Sequence, residues 1–569
     1  MTGQTGFPSI DKPWLKYYKA IVKEDELPEM TMYDYAWENN RENLDTVALR
    51  YFDNKISYRA LFNEIEKAAC AFWNAGVRKG DIVTIMSIHT PETAIALYAL
   101  NYIGAVSNFI YPTMTEKEVR EVLKNTGSKL LLVLEPIMNK VFQSAEGIEI
   151  PVILLSISDS MPLIMKTIYK IKTKEEKIQK NTVKWKEFIS ENQKVRQNKD
   201  EVTKASDHNA VAVMVSTSGT TGEPKAVCLS NDSLNKLVAQ DRKGLVEFKR
   251  GKDCLLILPP FIGFGIAHIH ILICTGVECI LQIKLDQDSI VKSFFRYKPY
   301  CFLTGPVNAD RIIKHKATDI SSLRYFIGGG GEISEKQEKT INSFLKECNT
   351  EAIYSNGYGM TEAASVLTVN INEVSKPRSI GIPLMNTVVK VVDIDTGKEL
   401  MYGEEGELWF NSPCIMTGYY KNQDATDNVI VTDHEGKRWL RTGDIGTVDT
   451  DGFVFFKGRL KRIYVTRGLD GMPYKIFPQR IEELFIKQNG IHICGVIVRE
   501  DEKRKNVPVA FVSLDDGSKD KEQQIIDKLK NIAAEELPAH MRPDEIIILD
   551  EIPTTSSGKI DYCRLEKMA

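Results

Sequence analysis

Residues Ser216 to Lys225 form a short run of small and hydroxylated residues whose pattern predicts a polyphosphate-binding loop. The run reads Ser-Thr-Ser-Gly-Thr-Thr-Gly-Glu-Pro-Lys. Glycine lets the backbone come close to a phosphate, amide N–H groups and hydroxyls donate hydrogen bonds, and Lys225 adds positive charge. The loop is not a Walker A motif, because Lys225 follows proline where that motif has glycine. A flexible linker is the alternative, but the strand-like run from Ala210 to Val215 before the loop favours phosphate binding.

Four further motifs follow this loop along the chain. They are Tyr358-Gly359-Met360-Thr361-Glu362, Arg441-Thr442-Gly443-Asp444, Gly458-Arg459-Leu460-Lys461 and Pro553-Thr554-Thr555-Ser556-Ser557-Gly558-Lys559. Together with the loop they resemble, in order and in spacing, the signature motifs of the adenylate-forming (AMP-binding) superfamily. That superfamily comprises acyl-CoA synthetases, adenylation domains of peptide synthetases and beetle luciferases, of which the first are closest in motif. One such match can arise by chance, whereas five in order cannot, so the chain is identified as a member.

The resemblance implies an AMP-forming acid–thiol ligase that works in two steps. A carboxylate attacks the α-phosphate of ATP to give an acyl-adenylate and pyrophosphate, and a thiol then displaces AMP to give a thioester. ATP, Mg²⁺ and CoA are the implied cofactors. The alternative is a stand-alone adenylation enzyme that loads the phosphopantetheine of an acyl carrier protein. Met360 resembles the CoA ligases, whereas peptide-synthetase relatives usually have proline at this position, and this favours CoA.

The resemblance also assigns roles to individual residues. Lys559 is the leading catalytic candidate, because a cation between carboxylate and phosphate offsets the repulsion of two anions. Glu362 would coordinate Mg²⁺, Thr361 would contact the α-phosphate, and Asp444 would accept hydrogen bonds from both ribose hydroxyls. A non-catalytic, ligand-sensing relative should have lost Lys559, Glu362 or Asp444, and all three are present. ATP and AMP binding is expected at Thr217, Ser218, Gly219, Thr220, Thr221, Gly222, Lys225, Gly330, Gly331, Glu332, Asn356, Gly357, Tyr358, Gly359, Asp444 and Arg459.

The acyl pocket is expected around Ile262, Gly263, Phe264 and Gly329. Ile262 stands where many acyl-CoA synthetases have histidine. Amino-acid-activating relatives use an aspartate in the corresponding stretch to hold the α-ammonium of the substrate. Residues 258–265 of this chain contain no aspartate. Because burial of an unpaired ammonium would be costly, we expect a hydrophobic acid, fatty or aryl, as the substrate. The face through which the thiol approaches is expected at Gly468.

Arg462 replaces the aspartate that is usual at the hinge of this superfamily. The resemblance implies that the C-terminal domain rotates about this hinge, so that one site runs two reactions in turn. The arginine still permits the turn but could change the rotation equilibrium. Residues 469–473 look like an insertion close to the expected thiol approach, and they leave the identity of the acceptor open.

Alternating strands and helices must position these residues, and the alternation predicts parallel α/β layers. Tyr58 to Phe72 has apolar residues at helical spacing, and Ile82 to Ser87 is typical of a strand. Short strands after about residue 381 predict a small β-rich subdomain, and the first forty residues are expected to pack on the outside of the first subdomain. The predicted fold class is α/β. A large N-terminal domain of several subdomains (1–461) precedes a smaller, mobile α+β C-terminal domain (462–569).

The composition excludes several functional classes. The formal net charge of −3 gives no global basic field, so nucleic acid is not an expected partner. Ten cysteines without a CxxC pair favour reduced thiols in the cytosol. The N-terminus lacks the apolar core of a signal peptide, and no apolar run is long enough to span a bilayer. We therefore expect a cytoplasmic protein.

Residues 165–197 form a basic segment that the motifs do not explain. It holds ten Lys or Arg residues and four Glu residues, and apolar residues 161–165 lead into it. One interpretation is a basic amphipathic segment that lies on an anionic membrane. The other, which we favour from the sequence, is a solvated surface insertion.

Overall fold

The computed structural model describes residues 5–141, 150–172, 182–194, 202–216, 225–242, 244–329, 335–462, 464–467, 473–515, 522–555 and 559–569. Over these ranges the protein is mixed α/β, with a large N-terminal domain and a smaller C-terminal domain, as the sequence predicts.

Helices and strands alternate through most of the chain. The helices are α1 (Pro8–Asp11), α2 (Met32–Asn40), α3 (Tyr58–Asn74), α4 (Pro91–Tyr102), α5 (Glu116–Thr126), α6 (Glu135–Val141), α7 (Leu163–Lys172), α8 (Trp185–Lys194), α9 (Asn231–Arg242), α10 (Gly263–Thr275), α11 (Gln287–Tyr297), α12 (Pro306–Ile313), α13 (Glu335–Glu347), α14 (Gln423–Asp427), α15 (Pro478–Ile486), α16 (Glu522–Glu536) and α17 (Tyr562–Glu566). The strands are β1 (Val47–Tyr51), β2 (Asn54–Ser57), β3 (Ile82–Met86), β4 (Val106–Phe109), β5 (Leu130–Leu134), β6 (Val152–Leu155), β7 (Thr182–Lys184), β8 (Val211–Ser216), β9 (Ala226–Ser230), β10 (Asp253–Leu256), β11 (Glu278–Leu281), β12 (Cys301–Thr304), β13 (Tyr325–Gly328), β14 (Tyr354–Tyr358), β15 (Thr368–Asn370), β16 (Ile382–Pro383), β17 (Val388–Val392), β18 (Gly406–Asn411), β19 (Gly418–Tyr419), β20 (Ile430–Thr432), β21 (Arg438–Val448), β22 (Val454–Arg459), β23 (Tyr464–Arg467), β24 (Pro473–Ile476), β25 (Ile491–Asp501), β26 (Lys505–Leu514) and β27 (Glu545–Ile548).

Two large sheets organise the N-terminal domain. Their strand orders are β19-β9-β8-β4-β3-β5-β6-β7 and β16-β15-β14-β13-β12-β10-β11-β1-β2. The central pairs of both sheets are parallel, and antiparallel pairs occur towards the edges. All five residues of β3 are buried, as expected for a parallel strand whose two faces are both covered. The predicted parallel α/β layers are therefore confirmed.

Helix α3 shows how the sequence specifies these layers. The side chain of Ser57 accepts a hydrogen bond from the backbone N–H of Ala60 and caps the first turn. Leu61, Phe62 and Ile65 then recur at helical spacing and are buried in the core between the layers. The helix predicted from Tyr58 is confirmed and extends to Asn74.

The site is built where parallel strands end. β13 and β14 are parallel neighbours, with Gly328 paired to Asn356, so Gly329 and Tyr358 emerge at the same edge of the sheet. Ligand sites of α/β proteins form at this carboxyl edge, because loops can converge there. β8 of the other sheet ends at Ser216, immediately before the predicted phosphate loop.

A smaller β-rich subdomain contains β17, β18, β20, β21 and β22, as the short strands predict. The N-terminal segment packs partly on this subdomain rather than only outside the first one. Trp14 is fully buried, and it shares a hydrophobic cluster with Phe410 and Phe453. Gly452 lies directly against the backbone of Trp14, which fixes the segment to the turn between β21 and β22.

The C-terminal domain is an α+β unit. The sheet β25-β26-β27 packs with α15 and α16 around a core that includes Phe485, Val496 and Leu529. The hairpin β23-β24 contacts this sheet through β26. In none of the described ranges is there a helix with the length and apolar character needed to cross a membrane.

Candidate active site

Asp444 lies at the centre of the candidate site. It belongs to β21 and faces Arg459 across the antiparallel pair with β22, and the Arg459 Nε lies 3.2 Å from its Oδ1. Asp444 is only 2% exposed, and burial raises the pKa of its carboxyl above the usual value. Arg459, the hydroxyl of Tyr358 and Lys559 act in the opposite direction and favour the carboxylate.

An irregularity in β21 at Gly443, where the pairing with β18 shifts register, holds this carboxylate in position. Gly443 has a φ of +69°, a conformation that glycine adopts without strain. Its N–H donates to Glu407, which also accepts from Arg441. The backbone N–H of Asp444 donates to the hydroxyl of Thr442. Arg441 and Thr442, the first two residues of the motif, therefore help to hold Asp444, its last residue, in position.

Tyr358 connects the second motif to the third. Its hydroxyl donates to Asp444 Oδ2 over 2.6 Å, and its ring centroid lies 6.0 Å from that of Phe410. Two residues earlier, the amide nitrogen of Asn356 donates to the carbonyl of Ser379 over 3.2 Å. An aromatic face and a fixed amide thus lie beside the buried carboxylate.

Two acceptor atoms at this place have no hydrogen bond within the described part of the chain. They are Asn356 Oδ1 and Asp444 Oδ1; both are buried, and Asp444 Oδ1 has the ion-pair contact with Arg459 but no hydrogen bond. Buried polar atoms are normally satisfied, so such atoms point to a donor supplied from outside the protein. An exocyclic amine and a hydroxyl of a nucleoside are donors of this kind. The residues present therefore fit a nucleoside.

Glu362 lies beside this pair of motifs and is also buried. Its Oε1 accepts a hydrogen bond of 2.7 Å from the hydroxyl of Tyr419, and its carbonyl accepts one from the N–H of Met416. Within the described ranges, no group of three or more His, Cys, Asp or Glu residues could hold a metal ion. A single carboxylate still fits Mg²⁺, because this ion takes few protein ligands and completes its shell with phosphate oxygens and water.

Lys225 reaches the same region from the end of the predicted phosphate loop. Its Nζ lies 5.0 Å from the centre of the Tyr419 ring, the residue that binds Glu362. The contact follows from strand pairing, because β9 begins directly after Lys225 and pairs with β19, in which Tyr419 lies.

Thr361 is packed against the start of α10. A Cβ at position 263 would lie 3.0 Å from the Thr361 Cγ2, so glycine permits this contact. A Cβ at position 359 would lie 1.6 Å from the carbonyl oxygen of Ser365, which excludes any larger residue without a backbone shift. The second motif is thus held between α10 and its own following turn.

The predicted acyl-pocket residues lie together at the start of α10. Ile262 precedes the helix, and a Cβ at Gly329 would come within 3.1 Å of the Phe264 ring. The ring of His268, one turn further, meets that of Phe264 edge-on at 4.6 Å. Its Nδ1 lies 3.2 Å from the carbonyl of Phe264, whereas Nε2 is buried without a partner among the described residues. Burial lowers the pKa of His268 to about 4, so the ring is neutral at pH 7.

Lys559 reaches the site from the C-terminal domain. Thr554 and Ile560 form an antiparallel bridge, and the N–H of Thr555 donates to the carbonyl of Lys559 over 2.7 Å. Lys559 is open to solvent, yet the protein around it and the cation of Arg459 lower its pKa. The carboxylates of Asp444 and Glu362 act in the opposite direction. The lysine is therefore close enough to both carboxylates to interact with them electrostatically.

Arg462, at the expected hinge, is bound within the C-terminal domain. Its guanidinium donates to Glu482 Oε1 over 2.8 Å and to the carbonyl of Val496 over 2.7 Å. It also lies 3.9 Å from the ring centre of Tyr562, whose hydroxyl donates to the same carboxylate oxygen. The arginine thus connects the hinge to the element that follows Lys559.

Several predicted site residues lie outside the described ranges. They are Thr217, Ser218, Gly219, Thr220, Thr221, Gly222, Gly330, Gly331, Glu332 and Gly468. Of the remaining ones, Gly357 lies in β14 between Asn356 and Tyr358.

The sequence analysis missed three residues of the site. Tyr419 binds Glu362, Glu407 supports the backbone of β21 before Asp444, and His268 lies against the expected acyl pocket. The only sequence signal for His268 is a histidine within the otherwise apolar helix α10. Tyr419 and Glu407 lie in short strands without a motif, so only the tertiary structure identifies them.

Comparison with known proteins identifies the family of the chain. The family "AMP-binding enzyme" matches residues 36–420, and "AMP-binding enzyme C-terminal domain" matches residues 480–559. The long-chain-fatty-acid–CoA ligase of Bacillus subtilis is 27% identical over 97% of both chains. The 4-coumarate–CoA ligase 3 of Arabidopsis thaliana is 27% identical over 96% of this chain and 93% of its own.

The fold is shared with solved structures. The ATP-bound crystal structure of MatB from Rhodopseudomonas palustris superposes with a TM-score of 0.76 at 20% identity, over 94% of this chain and 98% of its own. The family matches together cover most of the chain, from residue 36 to residue 559. The chain belongs to the AMP-binding enzyme family, and it is an acid–thiol ligase of the acyl-CoA synthetase type.

Proposed function

We propose that this enzyme activates a hydrophobic carboxylic acid, fatty or aryl, with ATP and Mg²⁺ and transfers the acyl group to CoA. The observation that carries the proposal is the convergence of Lys559, Asp444 and Glu362, from three distant motifs, around buried acceptor atoms without a hydrogen bond in the described part of the chain. A purely structural network would also give those acceptors hydrogen bonds within the protein. A site for a nucleotide and a second anion leaves them available to the ligand.

In the first step, a carboxylate oxygen of the acid forms a bond to the α-phosphorus, and the bond from this phosphorus to the leaving pyrophosphate breaks. Asp444 and Asn356 hold the ribose and the adenine, and Tyr358 orients Asp444 through its 2.6 Å hydrogen bond. Lys559 lies between the two anions and stabilises the negative charge that develops. Glu362 would hold Mg²⁺, which neutralises phosphate charge when bound. Lys225 and the rest of its loop would bind the departing pyrophosphate.

In the second step, the sulfur of CoA forms a bond to the acyl carbon, the bond to AMP breaks, and the thiol proton is lost. We infer that the C-terminal domain (462–569) rotates relative to residues 1–461 between the steps. The short turn Leu460–Arg462, between β22 and β23, supports a pivot at this place. Because Arg462 is bound to Glu482 and Tyr562, it would move with the C-terminal domain, and Gly468 would come to the face of thiol approach.

The substrate class rests on the surroundings of Phe264. Ile262 and Phe264 give the pocket an apolar lining, and no carboxylate in residues 258–266 could pair with an ammonium. Of the relatives named above, one acts on a fatty acid and the other on an aryl acid, so both substrate classes remain in the proposal. With a fatty acid as the substrate, the enzyme would act in fatty acid metabolism.

We place this activity in the cytoplasm. All ten cysteines are free, and eight of them are buried. Cys254 and Cys301 are partners on neighbouring parallel strands and remain unbridged. Free thiols in this number fit a reducing compartment.

Acid-dependent release of pyrophosphate tests the proposal. The full-length enzyme is supplied with MgATP and a panel of short, medium and long fatty acids, aryl acids and amino acids, with CoA and without it. We expect release with one hydrophobic class and multiple turnovers only with CoA. A single turnover that stalls as bound acyl-adenylate until a carrier protein bearing phosphopantetheine is added would instead indicate carrier loading. No release with any acid would refute adenylation.

A further inference from the structure

Helix α7 exposes an apolar face to solvent. Leu163, Ile164, Ile168 and Ile171 are 83%, 78%, 48% and 80% exposed. With Met165, they are five of the twelve large apolar residues that are exposed in the described part of the chain. Large apolar residues clustered in this way on a protein surface mark an interaction site.

The opposite side of α7 attaches the helix to the protein. Tyr169 packs against the main hydrophobic core, and Met161, just before the helix, is buried in it. Lys166 is largely covered and lies 3.9 Å from Asp159. The helix therefore points its most apolar side away from the protein, which is the reverse of the usual arrangement of a surface helix.

Helix α7 carries three lysines and no acidic residue, and the sequence that follows it is also rich in lysine. Ten Lys or Arg residues and four Glu residues lie between residues 165 and 197, in a chain whose formal net charge is −3. Lys186, at the start of α8, is 59% exposed and lies 3.4 Å from Asp159, beside the base of α7. A local excess of lysine beside exposed isoleucine and leucine complements a surface that is apolar inside and anionic outside.

We infer that the apolar face of α7 (Leu163, Ile164, Ile168 and Ile171) is a docking surface for an anionic lipid bilayer. A helix of this kind lies in the plane of the interface, with its apolar side chains among the acyl chains and its lysines near the headgroups. The proposal reverses the interpretation favoured from the sequence, in which residues 165–197 are a solvated insertion. It does not depend on the identity of the acid, because the face is exposed before any substrate binds.

Co-sedimentation with vesicles tests the inference. The full-length protein is mixed with two kinds of vesicle. One contains phosphatidylcholine alone, and in the other roughly one lipid in three is the anionic phosphatidylglycerol. The double variant Ile164→Asp/Ile171→Asp changes two exposed side chains. Ile394→Asp is the matched control, because Ile394 is 44% exposed and lies in another part of the fold. Thermal unfolding checks that all three proteins are folded.

We expect the unchanged protein and the Ile394→Asp control to bind anionic vesicles. Both should bind much less to zwitterionic vesicles, and also much less to anionic vesicles in high salt. The double variant should bind anionic vesicles at least about tenfold less, because it removes two inserted side chains and adds two negative charges. Equal binding of the double variant and the unchanged protein would overturn the inference, as would no binding of either. Self-association in solution that the double variant abolishes, without vesicle binding, would overturn it in favour of a contact between two copies.

Discussion

Replacement of Lys559 by alanine should separate the two half-reactions. In the structure this lysine of the C-terminal domain interacts electrostatically with both Asp444 and Glu362. A unit charge about 4 Å from a phosphate contributes roughly 4 kcal/mol at an effective dielectric constant near 20. Because Lys559 is open to solvent, we expect it to stabilise the transition state by a smaller amount, about 3 kcal/mol. Loss of this stabilisation corresponds to a decrease of at least about a hundredfold in the adenylation rate.

Pyrophosphate exchange measures adenylation alone, and conversion of a supplied acyl-adenylate to the thioester measures the second step alone. We expect the Lys559→Ala variant to lose the first activity and keep the second within a few-fold, with ATP binding retained. Lys567→Ala is the control, because Lys567 is an exposed lysine of the same C-terminal domain. An unchanged rate of pyrophosphate exchange in Lys559→Ala would refute the role given to this lysine.

The pH dependence gives a second readout of the same residue. Desolvation by the surrounding protein and the cation of Arg459 lower the pKa of Lys559 below its ordinary value of 10.5, and the protonated form is the one that stabilises the anions. Adenylation should therefore fall as the pH rises through this lowered pKa. Lys559→Arg keeps its charge throughout this range and should lose that alkaline decline, even though its rate is lower. A decline of the same midpoint in both proteins would assign it to another group.

Three further substitutions test the surroundings of the site. Asp444→Asn should weaken ATP binding by about 1–3 kcal/mol, measured by calorimetry, because a charged acceptor at the sugar is lost; unchanged affinity would remove Asp444 from the nucleotide site. Gly359→Ala should destabilise the protein by about 1–3 kcal/mol in urea unfolding, because its Cβ would overlap the carbonyl of Ser365. Gly305→Ala is the control and should be nearly neutral, because a Cβ there would lie 3.9 Å from its nearest neighbour, the carbonyl oxygen of Gly329. Arg462→Ala should remove the cation that pairs with the buried carboxylate of Glu482 and destabilise the C-terminal domain by up to about 3 kcal/mol. An unchanged melting temperature would contradict the role of this ion pair.

Much of the fold could be predicted from the sequence, because apolar periodicity directly reflects burial. β3 and α3 were assigned in this way, and both are confirmed with small shifts at their ends. The packing of Trp14 on the β-rich subdomain could not be predicted in the same way. It depends on a contact with Gly452, more than four hundred residues away, and no local pattern encodes such a contact.

The candidate site was predictable where the chemistry lies in contiguous motifs, and less so where side chains from separate elements meet. The ordered motifs predict Asp444 and Lys559 as site residues, and the structure brings the two within electrostatic reach of each other. The sequence did not indicate that Tyr358 would donate to Asp444. It also left the consequence of Arg462 open. The structure shows that Glu482 and Tyr562 surround this arginine, so the charge at the hinge is compensated within one domain.

Tyr419 shows how pairing at a sheet edge can bring separate chemical functions together. The strand that follows the phosphate loop pairs with the two-residue strand β19, and this pairing puts Tyr419 between Lys225 and Glu362. One ring thus contacts the cation expected at the pyrophosphate and donates to the carboxylate expected at the metal. Because Tyr419 contacts both charged side chains, this pairing helps to set the distance between them. The relative placement of the expected phosphate and metal sites therefore depends on the sheet as well as on the motifs.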